Sequence, residues 1–338
     1  MPCPFQGAVF DSEKGRPEKS GLLIMACYYP LRMYRSPAGP NPNGKWPLVS
    51  HVNTQSPEIN VPCGRCIGCR LERSRQWAIR CVNEAQMHEE NCFITLTYND
   101  DKIIYGKNET GTLVPNDLQL FWKKLRKEIN KNGNRKCRYF ACGEYGDTTS
   151  RPHYHACVFG FDFQDKKYHR TTETGDRLYS SDMLNRIWGH GHCLIGSVTF
   201  ESAAYVARYI MGKKLGREKE YYKEQGIEPE FVRMSRRPGI GSTWFEKYKN
   251  DVITNDIQVV NGKETKPPKF YDKLLEKTNP ELYLKNKSNR INNQILNRKL
   301  KTNTTKKILW YNKRLKTDTK IRETIKLQKI QKLKRNLE

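Results

Sequence analysis

No apolar run in this sequence approaches the roughly 20 residues that a membrane-spanning helix requires. The longest candidate, "LLIMACYYPL" over residues 22–31, is too short, so no membrane partner is expected. The first 20 residues hold no apolar block, which argues against a secretory signal. No GxxxxGK[ST] stretch occurs, so a fused nucleotide-driven helicase is not supported. No internal repeat is evident. Acidic residues are in deficit, with 36 Asp+Glu against 61 Lys+Arg and a net charge of +25. Histidine is sparse, at seven. The cysteine number is odd, eleven, and several lie in apolar strand-like runs. That pattern suits a reducing cytoplasm better than a disulfide scaffold.

What is present begins with the positive charge. An excess of this size implies a polyanionic partner, most often nucleic acid; a merely solvated basic surface is the bland alternative. Residues 261–338 hold 23 Lys+Arg against 7 Asp+Glu, a net of +16, so the tail carries most of the imbalance. Hydrophobic residues make up 36% of the chain, enough for one core but not for a uniformly compact chain. Residues 1–60, rich in Pro, Gly and Asn ("SPAGPNPNGKWP"), read as an irregular arm. Met25 opens "MACYYPL" as an alternative start, with residues 1–24 as an extension. Residues 61–90 join a cysteine cluster to a helix, 91–250 form the main folded domain, and 251–338 form a basic tail, partly helical or flexible. Within the tail, Ile321, Ile325, Ile330, Leu333 and Leu337 are spaced roughly as one basic amphipathic helix.

Hydrophobic periodicity places the elements. "LERSRQWAIRCVNEAQMHEE" (71–90) has helical spacing, and "NCFITLTYND" (91–100) reads as a strand ending at Asn-Asp. "PNDLQLFWKKLRKEINKNG" (115–133) is a helix that buries Leu118, Phe121, Trp122, Leu125 and Ile129 and stops at Asn-Gly. "KCRYFACGEYG" (136–146) and "HYHACVFGF" (153–161) are strands joined by "DTTSRP". A helix near 181–188, a strand "HCLIGSVTF" (192–200) and a helix "ESAAYVARYIMGKK" (201–214) follow. Short strands with intervening helices and a central hairpin give an α+β fold: an antiparallel sheet with packed helices.

The central hairpin carries chemistry. Alternate strand residues face one side, so His153 and His155 point together. A symmetric hairpin about the 146–152 loop sets Glu144 opposite His153, with Cβ atoms ~5 Å apart. Two imidazoles and a carboxylate can hold a divalent metal and leave coordination positions open for phosphate oxygens. Phosphate chemistry favours the hard ions Mg²⁺ or Mn²⁺; Zn²⁺ also fits, and iron oxygenases use a similar triad. Two ordinary histidines on a half-buried strand are the plain alternative.

On the later helix, Tyr205, Tyr209 and Lys213 are spaced four apart along one stripe. Ala203, Val206, Ala207 and Ile210 supply the apolar stripe beside it, so the tyrosines are expected near the edge of the sheet rather than in its core. A phenol activated by a nearby cation can attack a phosphodiester and conserve its bond energy as a phosphotyrosine. Rim-packed tyrosines are the structural alternative, and the helix gains catalytic meaning only beside the histidine pair.

The order "FITLTY", then "GEYG…RPHYHACVFG", then "YVARYIMGK" resembles the three motifs of rolling-circle replication initiators, the HUH (His–hydrophobe–His) endonucleases. With "MACYYPL", "PCGRCIGCR" and "QWAIR" upstream, the sequence resembles the replication initiators of gokushoviruses, small single-stranded DNA phages of the microvirus family. The likeness spans roughly residues 25–215. It implies a ferredoxin-like sheet with the histidines on a central strand. It also implies a site-specific nick in phage origin DNA, a 5′-phosphotyrosine link, a free 3′-OH for host polymerase, and later rejoining into circles. The family's metal ligands fall on His153 and His155, with Glu144 as the third. Its paired tyrosines fall on Tyr205 and Tyr209, and its trailing lysine on Lys213, here preceded by Gly212. Host polymerase and helicase are the implied partners, and the cytoplasm of the bacterial host the implied location.

Two further features stand outside those motifs. Cys63, Cys66 and Cys69 form CxxCxxC, three thiolates able to share a structural Zn²⁺ if a fourth ligand comes from Cys27, Cys81 or His88. A loop of reduced cysteines is the plain alternative, and an iron–sulfur cluster a more distant one. The Lys/Asn/Ile tail can neutralise DNA phosphates, with Trp310 and Tyr311 able to stack on bases; A/T-rich coding would give the same composition. A non-catalytic nucleic-acid-binding module of similar fold explains the charge too, but not the ordered carboxylate, histidines and tyrosines.

Overall fold

The computed structural model describes residues 27–302 and 320–328 except 43–44, 53–54, 132, 134–135, 147–148, 213–219 and 322; for 108, 208–212, 291 and 293–302 it describes the backbone alone. Residues 1–24, Lys213, Trp310 and Tyr311 therefore lie outside the described residues, as does most of the amphipathic repeat at 321–337, of which 323–328 is helical.

The chain opens with three short strands, β1 (Leu31–Arg35), β2 (Leu48–Val49) and β3 (Ile59–Val61), in an antiparallel sheet of order β2-β1-β3. This differs from the irregular arm expected over 1–60. The strands escape a reading of pattern because their side chains are all exposed or half-buried, with no core face to impose alternation. Helix α1 (Ile67–Ala85) follows, then β4 (Asn91–Thr97), α2 (Pro115–Ile129), β5 (Arg138–Tyr145), β6 (Pro152–Phe159), the β7 (Lys167–Thr171) and β8 (Arg177–Ser180) hairpin, α3 (Asp182–Trp188), β9 (Cys193–Gly196) and α4 (Phe200–Gly212). The chain continues through α5 (Glu220–Gln225), β10 (Phe231–Met234), α6 (Ser242–Asn255), the β11 (Gln258–Val260) and β12 (Lys263–Thr265) ribbon, α7 (Lys269–Thr278) and α8 (Pro280–Thr302).

Seven strands form one antiparallel sheet of order β10-β5-β6-β4-β9-β8-β7. The fold is thus α+β with a central antiparallel sheet. Strands β4 and β6 sit in the middle and are covered on both faces. On one face, Ile94, Leu96, Tyr154, Ala156 and Val158 pack against Leu118, Phe121, Trp122 and Leu125 of α2 and Leu184, Ile187 and Trp188 of α3. The apolar stripe of α2 is the one its sequence spacing predicts, and Pro115 enters at the first turn, where the missing N–H costs nothing. On the other face, Phe93, Phe140, Cys142, Cys157 and Phe159 pack against Ala78 and Cys81 of α1 and Ala203, Val206 and Ala207 of α4. Each fully buried Leu or Phe contributes roughly 1.5–3 kcal/mol to this sandwich.

Behind α1 lies a second layer, built from the end of the expected main domain and the start of the expected tail. Trp244, Phe245 and Val252 of α6 pack on Tyr271 and Leu275 of α7. The far side of α1 is wired to this layer: Asn83 donates to the Tyr271 hydroxyl at 2.6 Å, and Gln258 donates to Asn83 at 2.6 Å. Buried Glu84 accepts the Gly241 amide at 2.6 Å and meets Arg138 of β5 at 2.6 Å. Helix α1 is therefore sandwiched, and residues 251–302 of the expected tail are built of regular elements. Among the described residues no helix is long and apolar enough to cross a membrane.

Candidate active site

The register of the β5–β6 hairpin sets Glu144 opposite His153 and Cys142 opposite His155, as hairpin symmetry about the 146–152 loop predicts. On the other side, β4 sets Thr97 opposite His153 and Thr95 opposite His155. All of these side chains share the α1/α4 face. Tyr154, between the histidines, points to the other face. Its hydroxyl accepts the Val114 amide at 2.8 Å, donates to the Val114 carbonyl at 3.0 Å and lies 2.9 Å from the Tyr98 hydroxyl. Those bonds tie β6 to the start of α2 and fix which residues of β6 face which way.

The Glu144, His153 and His155 ligand atoms all lie within 4.8 Å of one another. Glu144 Oε1 is 3.3 Å from Nε2 of each histidine. The His155 side chain is fully buried, whereas Glu144 retains 15% exposure, so the cluster opens toward solvent at its carboxylate end. Burial alone would raise the Glu144 carboxyl, but the two imidazoles outweigh it and hold it well below the usual carboxylate range. Burial lowers the His155 imidazole against the opposing pull of Glu144. An ionised carboxylate beside a neutral imidazole is the protonation state a metal ligand needs.

The second layer of contacts orients the nitrogens. His153 Nδ1 lies 3.0 Å from the Arg151 carbonyl, which only accepts, so Nδ1 carries a hydrogen and Nε2, 3.3 Å from Glu144 Oε1, is the nitrogen placed to ligate. His155 Nδ1 lies 2.9 Å from the Thr95 hydroxyl. His155 Nε2 is buried and makes no hydrogen bond among the described residues, although it faces the Glu144 carboxylate. Two ring nitrogens converging on one carboxylate oxygen need a proton or a metal cation between them and it. The donor set fits a divalent ion.

Helix α4 brings its tyrosine stripe to this cluster. Its start is set by a reciprocal cap: the Thr199 amide donates to Ser202 Oγ at 2.8 Å and the Ser202 amide to Thr199 Oγ1 at 3.1 Å. Tyr205 packs edge-on against His155, ring centroids 4.8 Å apart at 81°. It is 6% exposed and belongs to the core on that face, rather than lying at the rim as its offset from the apolar stripe predicts. Helix α1 lies beside α4 on the same face of the sheet, and Ser74 Oγ of α1 donates to the Ala204 carbonyl, next to Tyr205, at 3.0 Å. Tyr209 lies one turn further along the same helix; its side chain, like Lys213, is outside the described residues.

Two contributors were not singled out from the sequence. Thr95 sits inside "FITLTY", but its role depends on β4 pairing with β6, which no local pattern dictates. Arg151 donates from Nη2 to the Tyr98 carbonyl at 2.8 Å and pairs with Asp100, fixing the turn into His153. The cysteines also converge: Sγ of Cys27, Cys63, Cys66 and Cys69 lie within 4.8 Å of one another. The other two candidates for a fourth ligand are elsewhere, Cys81 in the core and His88 3.2 Å from Glu84.

Known proteins resemble this chain over most of its length. The family model for replication-associated protein ORF2/G2P matches residues 91–214, the segment that holds the hairpin and the whole tyrosine helix. Replication-associated protein VP4 of Bdellovibrio phage phiMH2K is 35% identical over 266 residues, covering 77% of this chain and 80% of that protein. Replication-associated protein ORF2 of Spiroplasma virus 4 is 34% identical over 272 residues, covering 77% and 83%. Replication-associated protein ORF4 of Chlamydia phage 1 is 28% identical over 222 residues, covering 64% and 54%. No solved structure matches the chain significantly. With relatives at 35% and 34% identity, of which 80% and 83% are covered, the chain belongs to the microvirus family of phage replication-associated proteins, and it is a replication initiator of that type.

Proposed function

We propose that this initiator nicks and rejoins single-stranded phage origin DNA through a tyrosine of α4. The observation that carries the proposal is the convergence of Glu144, His153 and His155 under the Tyr205 ring, on a face whose covering helix bears a second tyrosine one turn away. A Mg²⁺ or Mn²⁺ ion held by the three side chains would supply Lewis-acid polarisation of the scissile phosphate. Glu144 is ionised to balance the positive charge there, and the Arg151 carbonyl and Thr95 hydroxyl hold the imidazoles in place.

In the nick, a tyrosine Oη, of Tyr205 or Tyr209, forms a bond to phosphorus and the bond from phosphorus to the 3′ oxygen breaks. The phenol loses its proton and the departing oxygen gains one, so the step is balanced without net proton release. Protein is left joined to the 5′ phosphate, and the free 3′-OH serves host polymerase. Reversal by a 3′-OH closes a circle without ATP, and a second tyrosine on the stripe permits transfer while the first link persists. Lys213, next along that stripe, is assigned to the charge that develops on the phosphate. Host helicase assists unwinding, and the reaction takes place in the cytoplasm of the bacterial host. The tail, net +16 over residues 261–338, supplies phosphate contacts.

The test is direct. The full chain is incubated with origin-bearing single-stranded DNA and Mn²⁺, then resolved on a denaturing gel. A covalent protein–DNA band that is lost in the Tyr205→Phe/Tyr209→Phe double variant supports the proposal. Absence of a band with every divalent metal tried would favour a non-catalytic DNA-binding protein.

A further inference from the structure

We propose that Cys27, Cys63, Cys66 and Cys69 hold one Zn²⁺ as a tetrathiolate, and that this site pins the start of α1, the helix that backs the tyrosine helix. The chain delivers the four sulfurs from two places. Cys63, Cys66 and Cys69 run from the end of β3 into the first turn of α1, and Cys27 arrives from just before β1, whose first residue Leu31 pairs with Val61 at the end of β3. All four Sγ lie within 4.8 Å of one another. In a tetrahedral site with Zn–S bonds of about 2.3 Å, neighbouring sulfurs stand about 3.8 Å apart. The Cys27–Cys66 pair is already at 3.9 Å. A disulfide would need about 2.05 Å between sulfurs.

The backbone around the sulfurs is arranged for thiolates. The amides of Arg65 and Cys66 both donate to Cys63 Sγ, at 3.5 and 3.4 Å, around a turn in which Gly64 takes φ +74°. The Cys63 amide donates to Cys27 Sγ at 3.2 Å, and the Tyr28 amide to Cys66 Sγ at 3.4 Å. Amide donors toward sulfur offset the negative charge that four thiolates and one zinc leave behind. Cys66 and Cys69 also sit at the N-terminus of α1, where the helix dipole favours anions.

The clip closes the β1–β3 sheet between residues 27 and 63 and fixes the first turn of α1. Two turns later, Ser74 bonds the Ala204 carbonyl, the residue before Tyr205. The ion would thus act on the catalytic face only through α1, as a structural element.

The experiment measures metal in the full chain, purified under reducing conditions and passed through a chelator that removes loosely held Mg²⁺ or Mn²⁺. Stoichiometric zinc is expected, retained in His153→Ala and Cys81→Ser and lost in Cys63→Ser. If Cys63→Ser does not fold, the wild-type chain refolded with Co²⁺ decides: visible d–d bands of a tetrahedral thiolate site are expected. Zinc lost in His153→Ala, an iron chromophore in place of zinc, or four freely reactive thiols in the native chain would each overturn the assignment. None of these readouts depends on DNA cleavage, so failure of the nicking proposal leaves this one standing, and the reverse.

Discussion

Thr95→Val is a near-isosteric change that separates metal chemistry from plain packing. In the wild type the hydroxyl lies 2.9 Å from His155 Nδ1, and both groups are buried. For His155 to offer a lone pair from Nε2, its hydrogen must sit on Nδ1 and find an acceptor, and Thr95 is that acceptor. Valine fills the same volume but leaves a buried N–H unpaired, at about 1–3 kcal/mol. The ring then favours the tautomer that puts a hydrogen on Nε2, where it donates to Glu144, 3.3 Å away, and blocks the ligand position. Loss of such an outer partner weakens metal sites by about 10–100-fold, or roughly 1.4–2.7 kcal/mol. The assay titrates Mn²⁺ against nicking of origin DNA and reads the half-saturating concentration. A rise of about 10–100-fold is expected in Thr95→Val, with activity largely recovered at saturating Mn²⁺ and with Thr95→Ser close to wild type. An unchanged half-saturating concentration in a folded Thr95→Val chain would refute the reasoning, because the hydroxyl would then serve packing alone.

Other outcomes follow from the same geometry. Glu84→Ala leaves Arg138 without its buried partner and should cost about 3–5 kcal/mol in urea unfolding, since the carboxylate is 1% exposed and only 2.6 Å from that guanidinium. Without metal, stability should fall on acidification. His155 has its pKa lowered from 6.5 and Glu144 from 4.5, so in both cases the unfolded chain binds protons first. The loss begins below about pH 6.5 and deepens below about 4.3; melting temperature against pH in a chelator measures it, and Glu144→Gln should flatten the more acidic part. Gly191→Ala places a Cβ 2.5 Å from the Thr97 carbonyl oxygen and 2.6 Å from the Asn99 amide. Backbone must move, so thermal melts should show a loss of about 1–3 kcal/mol, with nicking reduced because Thr97 neighbours His153. Removing residues 303–338 takes away 12 Lys+Arg and 3 Asp+Glu; the slope of log affinity for single-stranded DNA against log salt should become shallower.

Much of the site was legible because it is local. A hairpin with a short loop has few registers, so Glu144 opposite His153 follows from symmetry, and the apolar stripe of α2 follows from helical spacing. What the sequence hid was distant pairing. Thr95 gains its role only when β4 lies beside β6, some 60 residues away. Tyr205 reads as a rim residue from α4 alone, yet its ring is buried against His155 of the distant strand β6. Tyr271 and Leu275, which pack on Trp244 and Phe245, stand among Lys, Asn and Thr, so a window average reports a polar tail. The partners of this layer in and just after α1 lie more than 150 residues earlier, as Gln86 for Trp244 and Asn83 for Tyr271 show.

Tyr154, the middle letter of the histidine motif, is more than an apolar spacer. Its hydroxyl grips the threshold of α2, so β6 is anchored on the side away from the chemistry. Anyone transplanting the histidine pair to a new scaffold would have to carry that anchor too. A strand free to slip by one residue would turn a phenol toward Glu144 and hide both imidazoles on the wrong side of the sheet.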